Sequence, residues 1–78
     1  PVQIVNVGRL DMHFEAGAVV DVAALHECRL VRSADIPVKL LAEGESTRAF
    51  TVRVHGASQA AREKITAAGG TVEIVSGR

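Results

Sequence analysis

The stretch VKLLAEGESTRAFTVRVHGASQAAREKITAAGG, residues 38–70, decides the fold. Val38, Leu40 and Ala42 alternate with Lys39 and Leu41, the period of a strand with one apolar face. Glu43-Gly44-Glu45-Ser46 is polar and holds a glycine, which suits a turn or loop. Phe50, Val52 and Val54 then alternate with Thr51, Arg53 and His55, predicting a second, half-buried strand. Gly56-Ala57 leads into Ser58, whose hydroxyl can accept from an amide that lacks an intrahelical partner, so Ser58 is the expected helix N-cap. Ala61, Ile65 and Ala68 recur at helical spacing and give that helix a narrow apolar stripe. Gly69-Gly70 stops it, because glycine enters the left-handed conformation of a C-terminal cap without steric cost. Thr71-Val72-Glu73-Ile74-Val75 restarts extended chain at once. Strand, short helix and strand in so small a unit predict a right-handed crossover between parallel strands.

Toward the N-terminus, residues 2–7 (VQIVNV) are rich in β-branched side chains and predict a strand partly covered on both faces. Gly8-Arg9 breaks it. Residues 10–17 show no clear period, with Leu10 and Phe14 as anchors to the core. Residues 18–20 are a short extended piece, and Asp21 is the expected N-cap of a helix over 22–29 in which Ala24, Leu25 and Cys28 share a buried side. Leu30-Val31 returns to the core. Residues 32–37 form a connector, where Pro37 biases Ile36 toward extended backbone. Residues 76–78 read as a loose tail. The order is two rounds of strand, strand, helix and then a closing strand. It predicts the α/β class, with a small mixed sheet and two helices.

A chain of 78 residues has room for a single domain, 1–78. Chains this short bury only about 60% of their unfolded surface, and the usual per-residue range implies a stability of about 4–12 kcal/mol. The core must come from Val, Ala, Leu and Ile, since the aromatics are Phe14 and Phe50 alone. Nine basic and nine acidic side chains give a net charge of zero, so no overall basic balance speaks for nucleic acid. The charges are unevenly spread, however. Asp11, Glu15, Asp21, Glu27 and Asp35 lie in the first half, and Arg48, Arg53, Arg62 and Lys64 crowd the second, which leaves room for a basic face. The single Cys28 excludes an internal disulfide and fits a reducing compartment. No apolar run approaches the roughly 18 residues of a membrane span, and the opening lacks the pattern of a signal peptide. Because the chain starts at Pro1, it is expected to be part of a longer protein.

Catalytic and cofactor motifs are not found. His26 and Cys28 stand about 200° apart around a helix and cannot share one metal ion. His13, His26, Cys28 and His55 show no zinc-ligand spacing, so no metal is expected. Cys28 falls on the apolar side of its helix, which makes it a buried, unreactive thiol rather than a nucleophile. Phosphate-cradling glycine motifs are missing too, and Gly69-Gly70 sits at the wrong helix end for an anion. With two phenylalanines at core positions there is no stacking platform for single-stranded nucleic acid. Any RNA binding must use backbone phosphates and shape. The residues alone describe a small α/β domain that is not an enzyme.

From Lys39 onward the chain resembles the C-terminal globular half of the bacterial-type large-subunit ribosomal protein "L fifteen". The residues that carry the likeness are Lys39-Leu40-Leu41 with Gly44, Thr51-Val52, His55, and then Ser58, Ala61, Ile65 and Gly69-Gly70, closing on Val72-Glu73-Ile74. Val5-Asn6, Leu10, Phe14-Glu15-Ala16-Gly17 and the Asp21 helix with Leu25 fit the same family in the same order. Ser46 stands where that family usually has an apolar residue, Phe50 where Leu is frequent, and Ala57 where a bulkier residue is common. Gly56, Gln59 and Ala60 replace lysines that often flank this helix start. The resemblance implies an irregular superhelix of strand-strand-helix turns and a structural, ribosomal-RNA-binding role in the large subunit of cytoplasmic ribosomes. It also implies neighbouring ribosomal proteins as partners, no cofactor or small-molecule substrate, and a basic, glycine-rich N-terminal extension beyond this chain. The alternative is a small non-catalytic interaction or ligand-binding domain that shares the fold.

The expected RNA-binding residues are Lys39, Arg48, Arg53, His55, Ser58 and Arg62. Arg53 and His55 share the polar face of the strand that feeds the Ser58 helix, with Lys39 on a neighbouring strand and Arg48 in the connection between them. Arg62 lies one turn into the helix. Such a basic patch beside a helix N-terminus suits phosphate rather than base recognition. Arg9, Arg29 and Arg32 are the alternative basic face.

Overall fold

Successive strands alternate between two sheets. The computed structural model describes residues 1–76; Gly77 and Arg78 of the expected tail lie outside the described residues. The elements are β1 (Gln3–Asn6), a 3-10 turn (Val7–Arg9), β2 (Val19–Val20), α1 (Val22–Glu27), β3 (Val38–Leu41), β4 (Thr51–Val54), β5 (Gly56–Ala57), α2 (Gln59–Ala67) and β6 (Thr71–Ile74). One sheet has the order β1-β3-β5 and the other β2-β4-β6, and every pairing is parallel. The chain thus winds from one sheet to the other and adds one strand to each per round, which is the α/β superhelix expected. In place of one small mixed sheet there are two parallel ones. A parallel partner has to be reached by a crossover, and here the crossover runs through the opposite sheet.

The core lies between the sheets and under the helices. Val38 and Leu40 of β3 point inward, as do Val52 and Val54 of β4, joined by Val5, Val7, Leu10, Val20, Leu25, Phe50, Ala61 and Ile65. The rings of Phe14 and Phe50 meet edge to face at 6.3 Å, so Leu10 and Phe14 anchor their loop as read. β1 departs from its expected cover on both faces. Ile4 is 46% exposed, because β1 is the edge of its sheet and only the Val5 side meets the core.

Both helices carry the expected N-caps: the Asp21 carboxylate accepts from the Ala24 amide at 2.9 Å, and the Ser58 hydroxyl from the Ala61 amide at 3.1 Å. They also end alike. After α2 the Gly69 amide donates to Thr66 and the Gly70 amide to Ile65, with Gly69 at φ 92°. After α1 the Arg29 amide donates to His26 and the Leu30 amide to Leu25, with Arg29 at φ 69°. Each is a Schellman-type stop. In the first helix, an arginine occupies the left-handed position that glycine takes in the second. α1 therefore ends at Glu27 rather than running to residue 29. Cys28 caps it half-buried, not buried as expected, and its Sγ–H donates to the Leu25 carbonyl at 3.6 Å.

Candidate nucleic-acid interface

The side chains expected to bind RNA divide into those the fold has engaged and those it leaves free. Arg48 holds the long loop in place. Its Nη1 donates to the carbonyls of Asp11 and Phe14 at 2.9 and 2.8 Å and stands 3.9 Å from the Glu15 carboxylate. The β4–β6 register sets Arg53 opposite Glu73, and its Nε donates to that carboxylate at 2.8 Å. His55 accepts the Val38 amide on Nδ1 at 3.1 Å, which joins the end of β4 to the start of β3. Ser58 spends its hydroxyl on the cap. Lys39, exposed opposite Gly56 in β3, and Arg62 on α2 make no ion pair or side-chain hydrogen bond to the described residues. Of the expected contacts, these two cations alone stay available.

Arg48 belongs to a polar cluster that no sequence pattern announced. The Asp11 carboxylate accepts from the Ser46 hydroxyl at 2.8 Å and from the amide and hydroxyl of Thr47 at 2.9 and 3.0 Å. Ser46 is thus one of the clasps. Burial pushes the Asp11 carboxyl up, but the Thr47 amide, the Ser46 and Thr47 hydroxyls and the Arg48 charge outweigh it and hold the group below its ordinary value of 3.8. A carboxyl depressed by folding stabilises the protein above its unfolded pKa, and that stabilisation is lost as pH falls through the folded value. The urea midpoint of the wild type should therefore fall more steeply below pH 3.8 than that of Asp11→Asn. Superimposable acid limbs in the two proteins would remove this role for Asp11.

Lys64 is engaged as well, donating to the carbonyls of Ala42 and Gly44 and to Glu45 at 2.8, 2.6 and 3.0 Å. It fastens the loop after β3 onto α2. The remaining free cations are Arg9, Arg29 and Arg32, all exposed and without an ion pair among the described residues. Two neighbouring clefts run along β1: Arg9 and Arg29 line one with Ile4, Leu30 and Glu43, and Arg32 lines the next with Gln3, Ile4 and Leu30, while Arg29 and Arg32 also share a cleft on the α1 side with His26 and Glu27. Gln3 was read only as part of a strand, yet it fixes the far bank. Its Nε2 donates to the carbonyls of Ser33 and Ile36, and its Oε1 accepts from the amides of Arg32 and Ser33.

Among the described residues no group of His, Cys, Asp or Glu could hold a metal ion, and no helix is long and apolar enough to cross a membrane. No buried side-chain nitrogen or oxygen among them lacks a hydrogen-bond partner. Loops clasped by side chains, a closed apolar core and exposed arginines without ion pairs among the described residues make up a small α/β domain.

Comparison with known proteins places that domain. Residues 4–73 match the family described as ribosomal proteins "50S-L15, 50S-L18e" together with their counterpart in 60S subunits, and the chain belongs to it. It is 48% identical over 73 residues to the large ribosomal subunit protein uL15 of Coprothermobacter proteolyticus, covering 94% of this chain and 48% of that protein. With the same protein of Geobacter sulfurreducens the identity is 48% over 94% of this chain and 49% of the relative. With that of Myxococcus xanthus it is 50% over 90% and 40%. The chain spans about half the length of the curated relatives it matches. The resemblance read along nearly the whole chain is thereby established, and the family is one of ribosomal proteins, not enzymes.

Proposed function

We propose that the chain is a structural constituent of the large ribosomal subunit that binds ribosomal RNA through phosphate and shape contacts, in the cytoplasm and beside other ribosomal proteins. Membership of the family over residues 4–73 carries the reading. The surface supports it. Free cations stand on a rigid frame, and the phenylalanines are committed to the core rather than offered to bases. On the face expected from the sequence, Lys39 and Arg62 carry the contact. Arg53 is partly neutralised by Glu73, and Arg48, His55 and Ser58 act by holding backbone in place.

Titration of the chain with bacterial large-subunit ribosomal RNA across a salt series tests this. The wild type should bind with a salt-dependent affinity. Lys39→Ala with Arg62→Ala should lower the slope of log affinity against log salt by about 1–2. The melting temperature should hardly move, since exposed charges contribute little to stability. Absence of salt-dependent binding by the wild type would overturn the reading.

A further inference from the structure

We propose that the clefts between β1 and the segment 29–32 form one groove for an RNA phosphate backbone, with Arg9, Arg29 and Arg32 as its contacts. The inference rests on the ribosomal-RNA reading and names a second face for it. Arg9 ends the 3-10 turn that follows β1, and across the cleft Arg29 begins the segment that runs back along the strand. Arg32 lines the adjoining cleft with Gln3, and Ile4 and Leu30 line both clefts, so the three guanidiniums border one path. Glu43 lines the same path and Glu27 the cleft on the α1 side of Arg29, yet neither forms an ion pair with these arginines. All three cations are arginine, whose planar fork matches a phosphate in two parallel hydrogen bonds. The apolar side chains beside them, Ile4 and Leu30, suit the sugar edge between phosphates.

The backbone supplies an independent sign. Arg29 occupies a left-handed position at φ 69° in the same hydrogen-bonded stop where α2 has Gly69 at φ 92°. A side chain in that conformation costs stability relative to glycine, because its Cβ crowds the neighbouring carbonyl. The fold gains nothing visible in return, since the guanidinium makes no hydrogen bond or ion pair to the described residues. A residue that costs stability and serves no internal contact is placed for an external one. The left-handed turn also swings the chain so that Gln3 can catch the amides of Arg32 and Ser33, which fixes the position of the second arginine.

The chain is titrated with bacterial large-subunit ribosomal RNA as wild type, as Arg29→Gly, and as Arg29→Gly combined with Arg9→Ala and Arg32→Ala. The single variant should melt no lower than the wild type and lose about one unit of salt slope, and the triple variant about 2–3. A lower melting temperature in Arg29→Gly would show the arginine serving the fold and would overturn the assignment. Unchanged slopes in the triple variant, while the wild type binds and Lys39→Ala with Arg62→Ala weakens it, would overturn the groove alone. A triple variant that binds RNA normally but fails to join another ribosomal protein would give the groove to a protein partner and also overturn it. A wild type that does not bind would remove both the groove and the reading beneath it.

Discussion

Ile65→Ala is expected to destabilise the protein by about 2–5 kcal/mol. Ile65 is fully buried on α2, one turn past Ala61, in the same apolar cluster as Val52 and with Val72 packed against it. It also touches the close crossing of the chain at Gly70, where a Cβ would lie 3.1 Å from its Cγ2. Truncation would leave a cavity where helix, strand and cap meet, and backbone held on every side cannot collapse into it. Against a total of about 4–12 kcal/mol this removes a large share of the stability. A urea or thermal melt measures it, and a midpoint within error of wild type would refute the α2 register.

Gly70→Ala should be at least as damaging, above about 3 kcal/mol, because here the obstacle is backbone. A Cβ on Gly70 would fall on the Phe50 carbonyl oxygen and 2.8 Å from the Phe50 nitrogen. That carbonyl accepts the Thr71 amide at 2.9 Å, the bond that starts the β4–β6 pairing. Neither group can move without opening the sheet or displacing the Phe50 ring from the core. Gly56→Ala is the matched control, since its Cβ would meet only the Lys39 side chain at an ordinary 3.7 Å. The control should stay within about 0.5 kcal/mol of wild type. Equal midpoints for the two alanine variants would show that the crossing is not as tight as drawn.

How far the sequence reveals such a fold depends on the range over which each signal acts. α2 is legible almost to the residue. Ser58, Ala61, Ile65 and Gly69-Gly70 all act within a turn or two of chain and stand where expected, while Ala68 of the expected stripe caps the helix half-buried. β5 is not legible, because Gly56 and Ala57 carry no pattern and are a strand only through their register with Lys39 and Leu40. The division into two sheets is hidden for a related reason. Val38 with Leu40 and Val52 with Val54 show the same alternation, which tells inside from outside but never names a partner strand. The candidate interface follows the same rule. Each cation is visible as a residue, whereas the pairing of Arg53 with Glu73 and the capture of Arg48 by the Asp11 loop arise from chain brought together across the fold. Arg29 leaves no trace: in a helix expected over 22–29 it is the last residue, where a basic side chain suits the helix dipole.

The alternation of strands between the sheets also sets an order in time. Gln3 meets Val38 and Val19 meets Thr51, so no strand pairs with the one that precedes or follows it in the chain. As the polypeptide emerges from its N-terminus, β1 and β2 wait without partners until β3 and β4 have been made. The two shorter-range pairings, β3 with β5 and β4 with β6, are completed last. Synthesis and folding therefore run in opposite directions. Long-range parallel pairing of this kind is slow to close, and until it does the apolar residues of the first strand stand open to water. The nascent chain should be at its most vulnerable to aggregation just before the Ser58 helix is complete, and safe within one further strand.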